Sequence, residues 1–247
     1  MNWRVLPYSE NDAYTNMAID EAICESVAAG GPPTIRFYGW KPGAVSLGYF
    51  QCIEHEVDLA ACEGAGIDIV RRRTGGGAVY HDQDGEITYS VIASETAFPK
   101  GILESYREIC GWIIDSLALL GMNAEFKPIN DIIVGGKKIS GNAQTRRNGV
   151  LLQHGTILHS VDVEKMFSLL KVPDEKIRDK MIASVKERVT CVRHHGEFIK
   201  HETYEALVTG FTKGKEHAAG QLTESEFLRA NALAQERYRK KDWNWMR

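Results

Sequence analysis

Three arginines, Arg71, Arg72 and Arg73, are followed after Thr74 by three consecutive glycines, Gly75, Gly76 and Gly77, and then by Ala78-Val79-Tyr80-His81-Asp82. Without Cβ atoms, successive backbone N–H groups of such a loop can converge on one anion. Strand alternation sends Arg71 and Arg73 to one face and Arg72 to the other, so at least one guanidinium can reach that anion and grip a phosphate with two parallel hydrogen bonds. The order is neither GxxxxGK[ST] nor GxGxxG, so neither a P-loop nor a Rossmann turn is indicated. A solvated hairpin end would show the same glycine cluster. The apolar wall from Ala78 to Tyr80, joined to a polar tip, tips the reading toward a nucleotide beside its phosphates. His81 taken alone reads as a hydrogen-bonded structural histidine.

A second constellation runs from Asn130-Asp131 through Gly135-Gly136 to Lys137, Lys138, Ser140, Gly141 and Asn142. Alternation sends the two lysines to opposite faces, so one can point at a ligand while the other is solvated. By the same count Ser140 and Asn142 share the face of Lys138, and Gly141 leaves room for close approach. Asp131, with Asn130, could hold Mg²⁺ or its waters. A charged hairpin edge that blunts aggregation is the bland alternative. The third stretch, Gln153-His154-Gly155-Thr156, places His-Gly inside an apolar strand, as where a ligand passes close to backbone.

These groups need a scaffold, and hydrophobic spacing supplies one. Strands are predicted at 3–9, 34–40, 44–50, 67–73 and 86–93, with Lys41-Pro42-Gly43 as the turn between the second and third. Asn11-Asp12 can cap a helix over 13–28, and a short helix is predicted at 55–64. The strongest helix is 101–120, where Ile102, Tyr106, Ile109, Ile113, Leu117 and Leu120 recur every three or four residues before Gly121. Gly135-Gly136 and Asn148-Gly149 mark the hairpins of a β-meander ending near 158. Tyr204-Leu207-Phe211 and Phe227-Leu228-Leu233 mark two helices of a helical tail from about 200. The fold class is α/β (α+β), a mixed sheet core flanked by helices.

Composition narrows the function classes. The 247 residues carry a formal net charge of −3, which argues against a nucleic-acid partner. No apolar run approaches the roughly 20 residues needed to span a bilayer, and the N-terminus lacks a signal-peptide core. No membrane partner and a cytoplasmic location are expected. The five cysteines, Cys24, Cys52, Cys62, Cys110 and Cys191, form no CxxC pair and read as free thiols. Cys191 with His194 is at most half of a metal site.

Together, RRRTGGGAVYHD, NDIIVGGKKISGNAQ and QHGTIL resemble the lipoate–protein ligase family of the biotin/lipoate ligase superfamily, in the right order; RFYGW, SLGYFQ and the terminal DWNW add to it. The resemblance covers nearly the whole chain. It implies one catalytic domain over 1–247, with a fold like the core of biotin ligases and class II aminoacyl-tRNA synthetases. It implies ATP-dependent activation of lipoate or octanoate to an acyl-adenylate, with transfer to one lysine of a lipoyl carrier domain such as the glycine-cleavage H protein or an E2 domain. ATP and Mg²⁺ are the implied cofactors and lipoate the substrate. Lys138 would neutralise the reacting oxygens; Arg72, Arg73 and Gly75 to Gly77 would hold phosphate; Ala78, Val79, Tyr80 and His81 would line the nucleotide site, with Asp131 and Asn130 at the metal. Substrate contacts would come from Gly77, His81, Lys138, Gly141, His154 and Gly155, and the acyl slot from the Leu47–Phe50 segment and the strand at His154.

The same superfamily contains ATP-independent octanoyl- and lipoyl-transferases that carry the acyl group on a cysteine, its thiol pKa lowered by the lysine. The N-terminal third and DWNW resemble one such branch. Its nucleophile would fall near Asn123, and the segment 122–131 contains no cysteine; another branch places it after the His-Gly strand, where 160–175 again has none. These gaps and the Asn130-Asp131 pair favour the ligase. A non-catalytic binding module would not need Lys138, Asp131 and the arginines. Ligases of the family carry a further C-terminal domain, so a split ligase with a small accessory subunit is the expectation.

Overall fold

The computed structural model describes residues 1–171 and 177–247. The elements are β1 (Trp3–Asn11), α1 (Ala13–Ala28), β2 (Thr34–Trp40), β3 (Ala44–Leu47), α2 (Ile53–Glu56), α3 (Leu59–Gly64), β4 (Asp68–Arg71), β5 (Val79–His81), β6 (Glu86–Ser94) and α4 (Ile102–Leu119). They continue with β7 (Ala124–Lys127), β8 (Asp131–Val134), β9 (Lys137–Arg147), β10 (Val150–Leu158), α5 (Val163–Leu169), α6 (Arg178–Arg188), α7 (Lys200–Thr212), β11 (His217–Ala219), α8 (Glu224–Leu233) and α9 (Lys241–Asn244). A large mixed sheet has the order β11-β1-β2-β6-β10-β9-β8-β7, and a small one the order β4-β3-β5. The fold is the expected α/β class, a mixed sheet flanked by helices. Among the described residues no helix is long and apolar enough to cross a membrane.

Alternation divides the large sheet into two unlike faces. Ile35 and Phe37 of β2, with Tyr89 and Val91 of β6, pack against Ile109, Ile113 and Leu117 of α4 and Phe211 of α7. The opposite face carries Tyr38 and Trp40, and α1 covers it with Met17, Ala18 and Ile23. That helix starts where Asp12 accepts a hydrogen bond from the Thr15 amide at 2.8 Å, the N-cap role expected of it. Beyond the end of α1 this second face is left to polar side chains, and the small sheet roofs it. The hairpins β8–β9 and β9–β10 turn at Gly135-Gly136 and Asn148-Gly149, all four with positive φ.

Four local expectations change. Lys41-Pro42-Gly43 does not close a hairpin, because β3 pairs with β4 and β5 and the turn carries the chain between sheets. The predicted helix at 55–64 is two short ones, broken at Val57, which bridges to Leu170. Phe227 and Leu228 are exposed, because α8 turns Ala230 and Leu233 toward α1 instead. Finally, a β-bulge interrupts β8–β9: Ile132 faces Ser140 while Ile133 faces Lys138. The extra residue shifts the phase, so Gly141, not Ser140 or Asn142, shares the face of Lys138. Ile139 and Ser140 are both fully buried.

Candidate active site

Arg72 and the run from Gly76 to His81 line one cavity of about 380 Å³ on the polar face, together with Asn130, Lys138, Gly141, His154 and Gly155. That volume lies within the roughly 300–1,000 Å³ of small-molecule sites. Arg73, Gly75 and Asp131 are not among the lining residues. Arg73 turns to the far side, 2.9 Å from Glu21 of α1. Asp131 stands at the edge, its Oδ1 2.7 Å from Lys138 Nζ. Met17, Val79, Leu158 and Met166 give part of the wall an apolar character.

Arg71 and Arg72 are structural hubs and not free phosphate clamps. The Arg71 guanidinium donates to the carbonyls of Gly48, Tyr49 and Gln51 and to those of Trp243 and Asn244. It thereby ties the terminal DWNW segment to the loop after β3, and Trp243 Nε1 returns a bond to the Arg71 carbonyl at 2.8 Å. Arg72 Nη2 donates to the carbonyls of Gly75 and Gly77 at 2.8 and 2.7 Å, fixing the glycine loop. Burial pulls its pKa down to about 10, so it remains cationic at neutral pH.

Two hydrogen-bond chains leave Arg72. Its Nη1 donates to Ser46 Oγ at 3.1 Å, and its Nε donates to Thr74 Oγ1 at 3.1 Å. A guanidinium only donates, so each hydroxyl accepts from Arg72 and keeps its own proton available for a histidine. Ser46 meets His81 Nε2 at 2.8 Å and His81 Nδ1 meets Glu86 Oε1 at 2.7 Å. Thr74 meets His154 Nε2 at 2.7 Å and His154 Nδ1 lies 3.5 Å from Asp20 Oδ2. Each imidazole thus meets a hydroxyl at Nε2 and a carboxylate at Nδ1. Burial lowers the pKa of His154, which keeps it neutral despite Asp20. The His81 ring stacks on Trp40 at 4.0 Å between centroids. Trp40 Nε1 donates to Thr88 Oγ1, and that hydroxyl donates to Glu86, both at 2.8 Å.

Lys138 is an accessible cation of the site. Its side chain is 44% exposed, enough to meet a ligand, and its Nζ lies over Gly141, where a Cβ would approach it to 2.8 Å. The absent side chain at Gly155 makes room for the Asn142 amide, not for a ligand, since a Cβ there would fall 2.1 Å from Asn142 Oδ1. Asn142 Oδ1 accepts from Tyr89 Oη at 2.7 Å, and Asn142 Nδ2 donates to the Asn130 carbonyl at 2.8 Å. Among the described residues no group of three His, Cys, Asp or Glu side chains could hold a metal. The Asp131 carboxylate is occupied by Lys138 and the Asn130 amide donates to the Asn142 carbonyl. The pair therefore offers a cation little beyond the second Asp131 carboxylate oxygen, and no step of the chemistry runs through a metal.

Ser46, Glu86, Trp40, Thr88 and Asp20 belong to the site but were not singled out from the sequence. A signal existed: Glu86 opens, and Arg36 sits inside, an otherwise apolar strand, and buried charges demand partners. The loop contact gives a direct prediction. A Cβ at Gly48 would stand 1.9 Å from the Gly76 carbonyl oxygen. Gly48→Ala must therefore displace backbone that Arg72 and Arg71 hold. It should cost about 1–3 kcal/mol by chemical denaturation and about tenfold or more in activity.

Comparison with known proteins adds three findings. Residues 12–212 match the lipoyl protein ligase A/B catalytic domain. Octanoyltransferase LipM of Anoxybacillus flavithermus is 36% identical, covering 99% of this chain and 98% of the relative. Seven further octanoyltransferases LipM are 34–38% identical over 98–99% of this chain. Among solved structures, a chain from the bi-partite lipoate protein ligase and E2 lipoyl domain of Thermoplasma acidophilum has a TM-score of 0.92 at 36% identity, covering 99% of this chain and 96% of that one. A lipoate-protein ligase A bound with ATP has a TM-score of 0.86 at 33% identity, covering 99% of both chains.

The octanoyltransferase relatives overturn the expectation of an ATP-dependent lipoate ligase. The scaffold is common to both reactions, so its likeness to ligases does not choose between them. The expectation leaned on the absence of a cysteine in 122–131 and in 160–175 and on the Asn130-Asp131 pair. In the structure Asp131 Oδ1 pairs with Lys138, and Arg72 spends its donors within the chain.

Proposed function

The chain belongs to the lipoyl protein ligase A/B catalytic domain family, and from that membership we propose that it is an octanoyltransferase. It moves an octanoyl group, or the related lipoyl group, from an activated carrier to one lysine of a lipoyl carrier domain without consuming ATP. The observation that carries this reading is the near end-to-end match to eight octanoyltransferases. An accessory subunit, needed only for a split ligase, has no part in it. A lipoyl carrier partner is in keeping with the E2 lipoyl domain studied beside the Thermoplasma protein.

The site's chemistry suits an acyl thioester as donor. A thiolate leaves far more readily than an amine, so passage of the acyl group from sulfur to lysine nitrogen needs no nucleotide. The acyl chain lies along the apolar wall, and water is excluded by the small sheet above it. Lys138 sets its ammonium beside the carbonyl oxygen, where negative charge develops as the tetrahedral intermediate forms. Arg72 holds the glycine loop in the shape the ligand meets. The test uses an octanoylated thioester carrier and an unmodified lipoyl domain. Octanoyl-lysine should form without ATP, and free octanoate with ATP should not replace the thioester. Product that appears only with free acid and ATP would overturn the reading.

A further inference from the structure

Phe50 is 69% exposed, yet the backbone that carries it is fastened. Arg71 Nη1 donates to the carbonyls on either side of it, Tyr49 at 3.2 Å and Gln51 at 2.7 Å. The Tyr49 amide donates to the Thr74 carbonyl at 2.8 Å. The Tyr49 ring meets Phe50 edge-on at 5.0 Å between centroids and Trp243 at 5.9 Å. An apolar side chain already held in place loses little freedom when it is covered, which is what an anchor in a protein interface requires.

Two exposed arginines lie on these rings. Arg147, at the turn between β9 and β10, has its Cζ 4.8 Å from the centre of the Tyr49 ring. Arg247 stands 5.3 Å from the Phe50 ring and 5.9 Å from the Tyr49 ring. A guanidinium held by a ring keeps its in-plane N–H donors free, and these match the two oxygens of a carboxylate. Arg229, Arg237 and Arg239 are already paired, with Glu25, Glu21 and Asp12. Among the described residues no carboxylate pairs with Arg147 or Arg247. Aromatic rings with arginines are the composition found at the centre of protein interfaces.

We propose that Tyr49, Phe50, Arg147 and Arg247 form the docking face for the lipoyl carrier domain, which meets it with an apolar spot flanked by carboxylates. The face is continuous with the cavity. Gly48, next to Tyr49, stands against the Gly76 carbonyl, and Gly76 and Gly77 are exposed and line the cavity, so they form part of its rim. A domain seated on Phe50 therefore rests on the loops that frame the site its acceptor lysine must enter. A nucleic acid or an anionic membrane would call for a broad basic field, which a chain of net charge −3 does not supply. The identity of the partner rests on the transferase reading; the face itself does not.

The test separates docking from chemistry. An unmodified lipoyl domain is titrated into the full chain by calorimetry, with no acyl donor present. The wild type should bind, more weakly as salt rises. Arg147→Glu and Phe50→Ala should each raise Kd at least ~10-fold. Arg147→Lys keeps the charge without the planar fork and should fall between. Both side chains are exposed, so denaturant midpoints should match the wild type. In transfer from an octanoyl thioester, Arg147→Glu should raise KM for the domain at least ~10-fold with little change in kcat. Its rate with a short lysine peptide, too small to touch the face, should equal that of the wild type. Equal binding of the domain by all variants would overturn the docking face, even where transfer proceeds. Binding that these variants lose, with no transfer from thioester donors, would keep the face and sink the transferase reading. If Arg147→Glu instead abolished binding to phosphatidylglycerol vesicles, or self-association in sedimentation, while the domain did not bind, the face would belong to a membrane or a second copy and the proposal would fail.

Discussion

Lys138→Ala is expected to slow octanoyl transfer by at least ~10²-fold, the scale seen when one preorganised charge-stabilising donor is removed. The ammonium acts on charge that is present only as the tetrahedral intermediate forms, so the loss falls on kcat while KM changes little. Stability should hardly move. Lys138 packs little and its ion pair to Asp131 joins side chains 44% and 31% exposed, a class contributing about 0–1 kcal/mol. Lys138→Arg keeps the charge but spreads it over a plane, so it should recover only part of the rate. Steady-state kinetics beside a denaturant titration check all three statements. Transfer by the alanine variant within about threefold of wild type, well short of the donor-loss scale, would show that Lys138 does not stabilise the intermediate.

Which parts of this site were legible beforehand follows from the range of each interaction. α1, α4 and the meander β8–β10 were readable because capping at Asp12, the stop at Gly121 and the turns at Gly135-Gly136 and Asn148-Gly149 act within a few residues. The glycine loop and Lys138 were readable as charge beside bare backbone. The bulge at Ile139 was not, because one extra residue in β9 leaves no mark on composition yet exchanges Ser140 for Gly141 beneath Lys138. Nor were the fates of Arg71 and Arg72. Alternation gave their faces, but their partners lie at 46–51, 74–77 and 243–244, and only the folded chain brings those together. Ser46 looked like a hydroxyl in a short apolar strand. Its meaning comes from His81, 35 positions away, and from Glu86, which reads as a strand edge until its neighbours are known.

The fold alone would have misled in the other direction. Ligases share this scaffold, and a carboxylate–lysine pair at a cavity edge suits either reaction. The side chains that a polyphosphate and its metal would meet are paired within the chain here. Arg72 spends its donors on Ser46, Thr74, Gly75 and Gly77, and Asp131 is held by Lys138.

Asp20→Ala should be the most destabilising single change near the site. Asp20 Oδ1 accepts from Arg36 Nη1 at 2.8 Å and Oδ2 accepts from Ser90 Oγ at 2.6 Å, with both members of the ion pair almost fully buried. Removing the carboxylate strands the Arg36 charge in the interior, a loss of about 3–5 kcal/mol. Burial would raise the Asp20 pKa, but the His154 bond, Arg36 and Ser90 outweigh it and hold it below 3.8. His154 is held below 6.5 by burial. The signs then agree. A depressed carboxylate gives stability that is complete above 3.8 and lost as pH falls through its folded value. A depressed histidine stays neutral in the folded protein while the unfolded chain binds a proton below 6.5, so stability again falls with pH. Denaturant midpoints should decline from pH 7 to 5, and His154→Gln should flatten that slope; an equal slope in the variant would contradict the assignment. Since His154 orients Thr74, and Thr74 meets Arg72, loss of Asp20 should also loosen the glycine loop. Asp20→Asn, closer in shape, should therefore recover more stability than activity.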